Sequence, residues 1–115
     1  MKSLVVLSFV LWLTSCSTQT VTPEEAHGYV GTRVIVCGEV ASTYTSKKGN
    51  VFLNFGGEYP NQVFSIVIYS EDAATFENNP ATLYQGKKIC VTGTVHNYKK
   101  KPQIQVSDQD QIEIK

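Results

Sequence analysis

The chain has 115 residues, ten Lys plus Arg against ten Asp plus Glu, and a formal net charge of zero. That length suits one domain with a modest core, and the balanced charge excludes the broadly basic surface of a strong, unselective nucleic-acid binder. With two histidines, three cysteines and Arg33 as the single arginine, there is little from which to build a metal-assisted or nucleophilic active site.

Residues 1–15 read as a targeting segment. Lys2 supplies a positive start, and residues 4–13 form a nearly unbroken apolar run of ten, well short of the roughly 20 that span a bilayer. Leu13-Thr14-Ser15-Cys16 follows and resembles the lipobox of bacterial lipoproteins. The resemblance implies cleavage before Cys16, acylation of its thiol and amine, and attachment to a membrane through that lipid, because two or more acyl chains hold a protein where one does not. An ordinary secretory peptide with an incidental cysteine is the alternative. By resemblance to Gram-negative lipoproteins, Ser17 after the cysteine implies sorting to the periplasmic side of the outer membrane, with the inner membrane and the cell surface as alternatives. Removing Lys2 leaves nine basic against ten acidic residues in the mature part, and leaves Cys37 and Cys90 as an even pair in a chain bound for an oxidising compartment.

Residues 16–22 read as the lipidated cysteine and a short polar tether, and residues 23–115 as the domain. Thr22-Pro23-Glu24-Glu25 predicts a helix start, with Thr22 as cap, Pro23 in the first position and Glu25 closing a capping box; Gly28 and Gly31 limit it to a turn or two. Residues 34–40 are rich in β-branched residues and predict the first strand, with a bulge or bend at Gly38. Lys47-Lys48-Gly49-Asn50 is a turn, residues 51–55 a second strand, Tyr59-Pro60-Asn61 a further turn, and residues 63–69 a third, most apolar strand. Residues 71–83 predict one or two short helical pieces broken at Pro80. Residues 88–95 form a fourth strand, and residues 103–106 with 111–114 a broken fifth.

Period two sends Leu53, Phe55, Phe64, Ile66 and Ile68 inward and leaves Phe52, Asn54, Ser65, Val67 and Tyr69 on the outer face. The spacing of Gly31, Val34, Val36, Gly38 and Val40 repeats as Gly86, Ile89, Val91, Gly93 and Val95, which reads as two coiled barrel strands each needing a glycine. The echo puts the valines and Ile89 on the core side, and Cys37 and Cys90 on the opposite side.

The order of three strands, a helical crossover and two strands resembles the OB-fold, an all-β, five-stranded Greek-key barrel. Val36-Cys37-Gly38, the stretch Phe52 to Gly57 with Tyr59-Pro60-Asn61-Gln62, Phe64, Tyr84, Gly86-Lys87 and Val91-Thr92-Gly93 also resemble exported OB-type modules described as nucleic-acid binding. That resemblance makes the first and fourth strands antiparallel neighbours, so that Cys37 and Cys90 would face each other as a disulfide; two separately packed thiols are the alternative.

The resemblance further implies a binding face on strands two and three, flanked by the loops joining strands one to two and four to five. Lys47 and Lys48 lie in the first loop beside Tyr44, and Lys99-Lys100-Lys101 lie in the second beside Tyr98. With Phe52, Asn54, Ser65 and Tyr69 between them, the chemistry expected is single-stranded nucleic acid: lysines along phosphates, aromatics stacking on bases, and Asn54 pairing by hydrogen bonds. A module binding an envelope protein or a glycan through the same face is the alternative. No cofactor, metal site or enzymatic activity is expected. His27 and His96 read as structural residues near turns, and the acidic pairs as helix or turn starts, Asp108 and Asp110 before the last strand among them.

Overall fold

The computed structural model describes residues 18–115. Residues 1–15, expected to be a signal segment, and Cys16, the expected lipidation site, lie outside the described residues.

The elements are β1 (Thr20–Val21), a 3-10 helix (Pro23–Tyr29), β2 (Arg33–Thr45), β3 (Val51–Phe55), β4 (Phe64–Ile68), α1 (Ser70–Ala73), α2 (Pro80–Leu83), β5 (Lys88–Tyr98), β6 (Lys101–Gln105), a 3-10 turn (Gln109–Gln111) and β7 (Ile112–Ile114). Five strands close a barrel. β2 pairs with β3, β3 with β4, β4 in parallel with β6, β6 with β5, and β5 antiparallel with β2 again. This is the strand order expected of an OB-type barrel, with short helical pieces between the third and fourth barrel strands.

Closure depends on β2 and β5 each serving two neighbours. Arg33 to Glu39 pair with β5, whereas Val40 to Thr45 pair with β3. The change of partner comes with a shift of register between Val40 and Ser42, so a bulge sits at Ala41 and not at Gly38, where the sequence suggests it. The bulge reverses which side chains face out. Val40 is fully buried, yet Ser42 and Tyr44, at the same parity, pair with outward Asn54 and Phe52. Unbroken alternation could not continue past residue 40, which is why the strand predicted from sequence stops at residue 40 whereas β2 runs on to Thr45.

Gly38 and Gly93 have packing roles instead. A Cβ on Gly38 would stand 3.0 Å from Pro23 and 3.2 Å from the Phe55 ring, and one on Gly93 would stand 2.6 Å from Ile104. Gly38 and Gly93 of the internal echo are therefore points where a second element presses against a barrel strand.

The interior is filled from every strand. Val34, Val36, Leu53, Phe64, Ile66, Ile68, Val91, Val95, Ile104 and Val106 have no exposed surface, and Phe55 stacks on Phe64 with ring centroids 5.5 Å apart. Each such side chain contributes about 1.5–3 kcal/mol by leaving water. Thr22 caps the first 3-10 helix in a reciprocal capping box with Glu25, as the sequence predicts, and Ala26 of that helix is fully buried. Pro80 begins α2 in the first helical position instead of breaking a longer helix, with the Asn79 side chain accepting from the Ala81 amide. A second capping box, Asp108 with Gln111, separates β6 from β7 and breaks the fifth strand. Thr20 and Val21, which the sequence assigns to the tether, pair in parallel with Ile35 and Val36, and Val21 is buried in the core. A valine in a polar segment gives no periodicity to read.

Cys37 and Cys90 are directly opposed on β2 and β5 and form a disulfide. The parity argument is therefore right in its consequence: the bridge lies outside the barrel on the seam that closes it.

Tyr84 is buried in the core and packs edge-on against Phe76. Burial raises its pKa above the ordinary 10.0, a shift opposed by a hydrogen bond with Gln109. Above pH 10.0 the unfolded tyrosine ionises while the folded one stays neutral, so stability present below that pH declines as pH rises toward the folded pKa. Urea melts from pH 9 upward should show this decline, and Tyr84→Phe should flatten it.

Candidate functional site: a tyrosine-rimmed trough on the outer barrel face

The outer face of β2, β3, β4, β6 and β5 carries two transverse rows of side chains, set by the pairing register. One row is polar: Ser42 opposes Asn54, Asn54 opposes Ser65, Ser65 opposes Gln103, and Gln103 opposes His96. Asn54 Nδ2 donates to Ser42 Oγ at 3.2 Å, Gln103 Nε2 donates to Ser65 Oγ at 3.3 Å, and His96 Nε2 meets Gln103 Oε1 at 3.2 Å. The parallel row is apolar in the middle, running Tyr44, Phe52, Val67 and Gln105, with the Tyr44 and Phe52 rings 6.1 Å apart.

Ser42, Asn54, Ser65 and Gln103 of the first row and Tyr44 and Phe52 of the second line an open trough of about 680 Å³. Asn54, Ser65 and Gln103 are 3%, 5% and 5% exposed, so this outward face is sunk well below the surface. Val67, expected on the outer face, is buried there as well. Around the rim the tyrosines reverse the pattern: Tyr44, Tyr59 and Tyr98 are 57%, 67% and 52% exposed. Exposed aromatic rings over a polar floor offer planar faces for stacking and amides for edge-on hydrogen bonding.

Two loops make the walls. The β5–β6 connection is the two-residue turn Lys99-Lys100, with φ of 51° and 71°, and Lys99 Nζ lies 5.3 Å from the centre of the Tyr98 ring. Positive φ at both positions is the hairpin geometry that favours Asn-Gly, and it costs roughly 1–2 kcal/mol per residue with a Cβ. Replacing Lys99-Lys100 by Asn-Gly is expected to raise stability by about 1 kcal/mol while weakening ligand binding, and paired thermal melts and binding titrations check both halves.

The other wall is the β3–β4 loop around Glu58, Tyr59, Pro60 and Gln62. Lys101 Nζ reaches across to it and donates to the Pro60 carbonyl and, at 2.9 Å, to the Gln62 carbonyl. Lys101 thereby ties one wall to the other. Gln62 is 8% exposed, and its Oε1 has no hydrogen-bond partner among the described residues. An acceptor left unpaired out of water costs about 1–3 kcal/mol.

The expected site residues separate into two groups. Tyr44, Phe52, Asn54, Ser65, Tyr98 and Lys99 line the trough. Lys47 and Lys48 are exposed in the β2–β3 turn, Lys100 is exposed beside the rim, and Tyr69 sits at the start of α1; none of these four lines the trough. His96 lies on β5, close before the Lys99-Lys100 turn. Among the described residues the single ion pair is Lys115 with Glu113, so the lysines around the trough hold no carboxylate.

Tyr59, Gln62 and Gln103 also line the trough and are not among the expected site residues, whereas Lys101, expected with the lysines beside Tyr98, lines it as well. Gln103 was legible in principle, because it alternates with inward Ile104 and Val106. Tyr59 and Gln62 belong to a segment that sequence identifies only as a turn, and nothing local points that turn back over the sheet.

No protein-family model matches the chain, and no curated protein matches it by sequence. Solved structures do. The yeast Stn1 and Ten1 structure aligns over 88% of this chain and 64% of its own at 10% identity, with a TM-score of 0.56. Asparaginyl-tRNA synthetase from Pyrococcus horikoshii aligns over 82% at 16% identity, with a TM-score of 0.55. The OBody AM1L10 bound to hen egg-white lysozyme aligns over 96% of this chain and 97% of its own at 18% identity, with a TM-score of 0.54. The domain is an OB-fold. This chain spans 22% of the synthetase chain it matches, so the likeness covers one domain of that enzyme.

Proposed function

We propose that this OB-fold is a non-enzymatic binding module that takes single-stranded nucleic acid in the trough, on a protein exported and held at a membrane by a lipidated Cys16. The observation that carries the reading is the combination of three exposed tyrosines around a floor of buried Asn54, Ser65 and Gln103, with Lys99 at the rim. Single-strand binding needs stacking faces and a cation track, each stacked base contributing about 1–3 kcal/mol. The tyrosines supply the faces. Lys99 lies in the trough, and Lys47, Lys48 and Lys100 stand outside it, as a phosphate backbone leading away from the stacked bases would require. Glu58 on the opposite wall disfavours phosphates there and gives the strand a preferred edge. Similarity to a synthetase whose name places it on tRNA adds support at the level of the fold.

The disulfide fits an oxidising compartment, in keeping with export. The lipid anchor rests on the resemblance of residues 13–16 to a lipobox, and mass spectrometry of the mature protein tests it: a diacylated or triacylated Cys16 at the N-terminus is expected.

A protein ligand is the second reading. It is favoured by the OBody, which matches this domain end to end and is bound to lysozyme.

The deciding experiment is a fluorescence-anisotropy titration of the purified protein with labelled single-stranded oligonucleotides at two salt concentrations. Micromolar binding that weakens with salt is expected. No binding at low salt would remove nucleic acid from consideration and leave the protein-ligand reading.

A further inference from the structure

The three tyrosines of the rim are not held alike. Tyr44 and Tyr98 stand on β2 and β5, where ladder pairing with Phe52 and Lys101 fixes their backbone. Tyr59 is 67% exposed and belongs to the β3–β4 loop. Within that loop the Asn61 amide donates to the Glu58 carbonyl at the tip, and the Val63 amide donates to the Phe55 carbonyl at the base. Among the described residues, the hydrogen bonds that tie residues 58–62 to another segment come from Lys101 alone. Its ammonium group donates to the Pro60 carbonyl, next to Tyr59, and at 2.9 Å to the Gln62 carbonyl, across 41 and 39 residues of chain. Lys101 is half-buried, whereas Lys99 and Lys100 of the same hairpin are exposed. An ammonium group occupied by two carbonyls is a poor phosphate ligand.

We infer that Lys101 is a positioning residue that holds Tyr59 at the rim of the trough as its third stacking face, and that it makes no phosphate contact of its own. The inference rests on the nucleic-acid reading and gives one of the hairpin lysines a separate task within it. Tyr59, Tyr98 and Lys101 line the same trough, so the loop that Lys101 grips is the one that carries a rim ring. Without the grip the Tyr59 ring would be spread over many positions, and a ligand would have to order the loop on binding, at a cost in entropy that lowers affinity. A ring already in place avoids that cost. Lys99 differs, being exposed, with its Nζ 5.3 Å from the centre of the Tyr98 ring and no carboxylate paired to it, which leaves its charge available to a phosphate.

The test is a double-mutant cycle read by anisotropy with labelled oligo-dT, using the purified protein, Tyr59→Ala, Lys101→Met and the two combined. Tyr59→Ala is expected to weaken binding about fivefold or more, the effect of one lost stacking partner. Lys101→Met keeps an apolar stem and removes the ammonium group; it should weaken binding to a similar extent. The combined variant should bind no more weakly than Tyr59→Ala alone, because residues that act as one unit do not add. Salt dependence in Lys101→Met should match the parent, whereas Lys99→Met should lower the slope by about 0.7, the share of one phosphate contact on a single strand. Backbone order parameters at the Tyr59 and Asn61 amides, from nitrogen-15 relaxation, should fall from about 0.85 to below about 0.6 in Lys101→Met without ligand. An unchanged affinity or a lower salt slope in Lys101→Met, losses that multiply in the combined variant, or a loop that stays as rigid without the lysine overturns the inference and leaves the nucleic-acid reading standing. Failure of the parent protein to bind the oligomer removes both the inference and the reading beneath it.

Discussion

Replacing Cys37 and Cys90 together by alanine is expected to lower folding stability by about 4 kcal/mol, which for a domain of this size moves the melting temperature down by roughly 15–30 °C. The two cysteines are 53 residues apart in sequence, and the bridge between them closes that loop in the unfolded chain as well as the folded one. Most of the effect therefore comes from the unfolded ensemble gaining freedom. The position on the β2–β5 seam adds a second consequence, since this pairing joins the ends of the barrel sheet and has no other covalent restraint. The bridge lies on the half of β2 that pairs with β5, while Ser42 and Tyr44 of the trough lie on the half that pairs with β3. Ligand affinity measured well below the melting temperature should hence be unchanged in the alanine pair. Differential scanning calorimetry of the oxidised protein and the double variant checks the stability. A drop of less than about 1 kcal/mol would mean that the unfolded chain retains enough structure for the bridge to be redundant.

The second large effect concerns the rim. Tyr44→Ala combined with Tyr98→Ala should weaken oligonucleotide binding by about thirtyfold or more, corresponding to about 2 kcal/mol and the lower end expected for two lost stacking partners. The two rings stand on separate strands, β2 and β5, and neither belongs to the buried core. Their removal should accordingly leave the melting temperature within a few degrees of the parent. The salt dependence should also persist, because it is set by lysines rather than rings, although Tyr98→Ala removes the surface beneath the Lys99 ammonium group. Titration of the double variant at two salt concentrations separates these contributions. Affinity within about threefold of the parent would show that the tyrosines are not the stacking platform, and attention would pass to Phe52 and Tyr59.

The sequence reaches the barrel through local rules with long reach. Alternation in residues 51–55 and 63–69 assigns the inward side chains, and the structure places all of them in the core. The echo between residues 31–40 and 86–95 puts Cys37 and Cys90 on a common face, and the resemblance to the OB order makes their strands neighbours. Capping chemistry at Thr22 is legible because Glu25, three residues away, supplies the partner.

The site is only half legible, and the reason is physical. Phe52, Asn54 and Ser65 follow from strand parity alone, and the parity is correct. How deep they lie does not follow, since depth depends on the Tyr59–Gln62 loop folding over the sheet and on Lys101 gripping that loop across some forty residues of chain. The bulge at Ala41 is equally invisible, because it arises where β2 exchanges one neighbour for another.

Composition and spacing thus determine by themselves the strands and which of their side chains face inward, since hydrophobic period and capping act over a few residues and do not need the fold to exist first. The barrel order comes from the resemblance to the OB-fold. Only the tertiary structure decides that three tyrosines, a polar floor and a clasped loop meet in one trough, and that one of the hairpin lysines serves the wall instead of the ligand. Those relations are contacts between segments far apart in the chain, and no local preference encodes them.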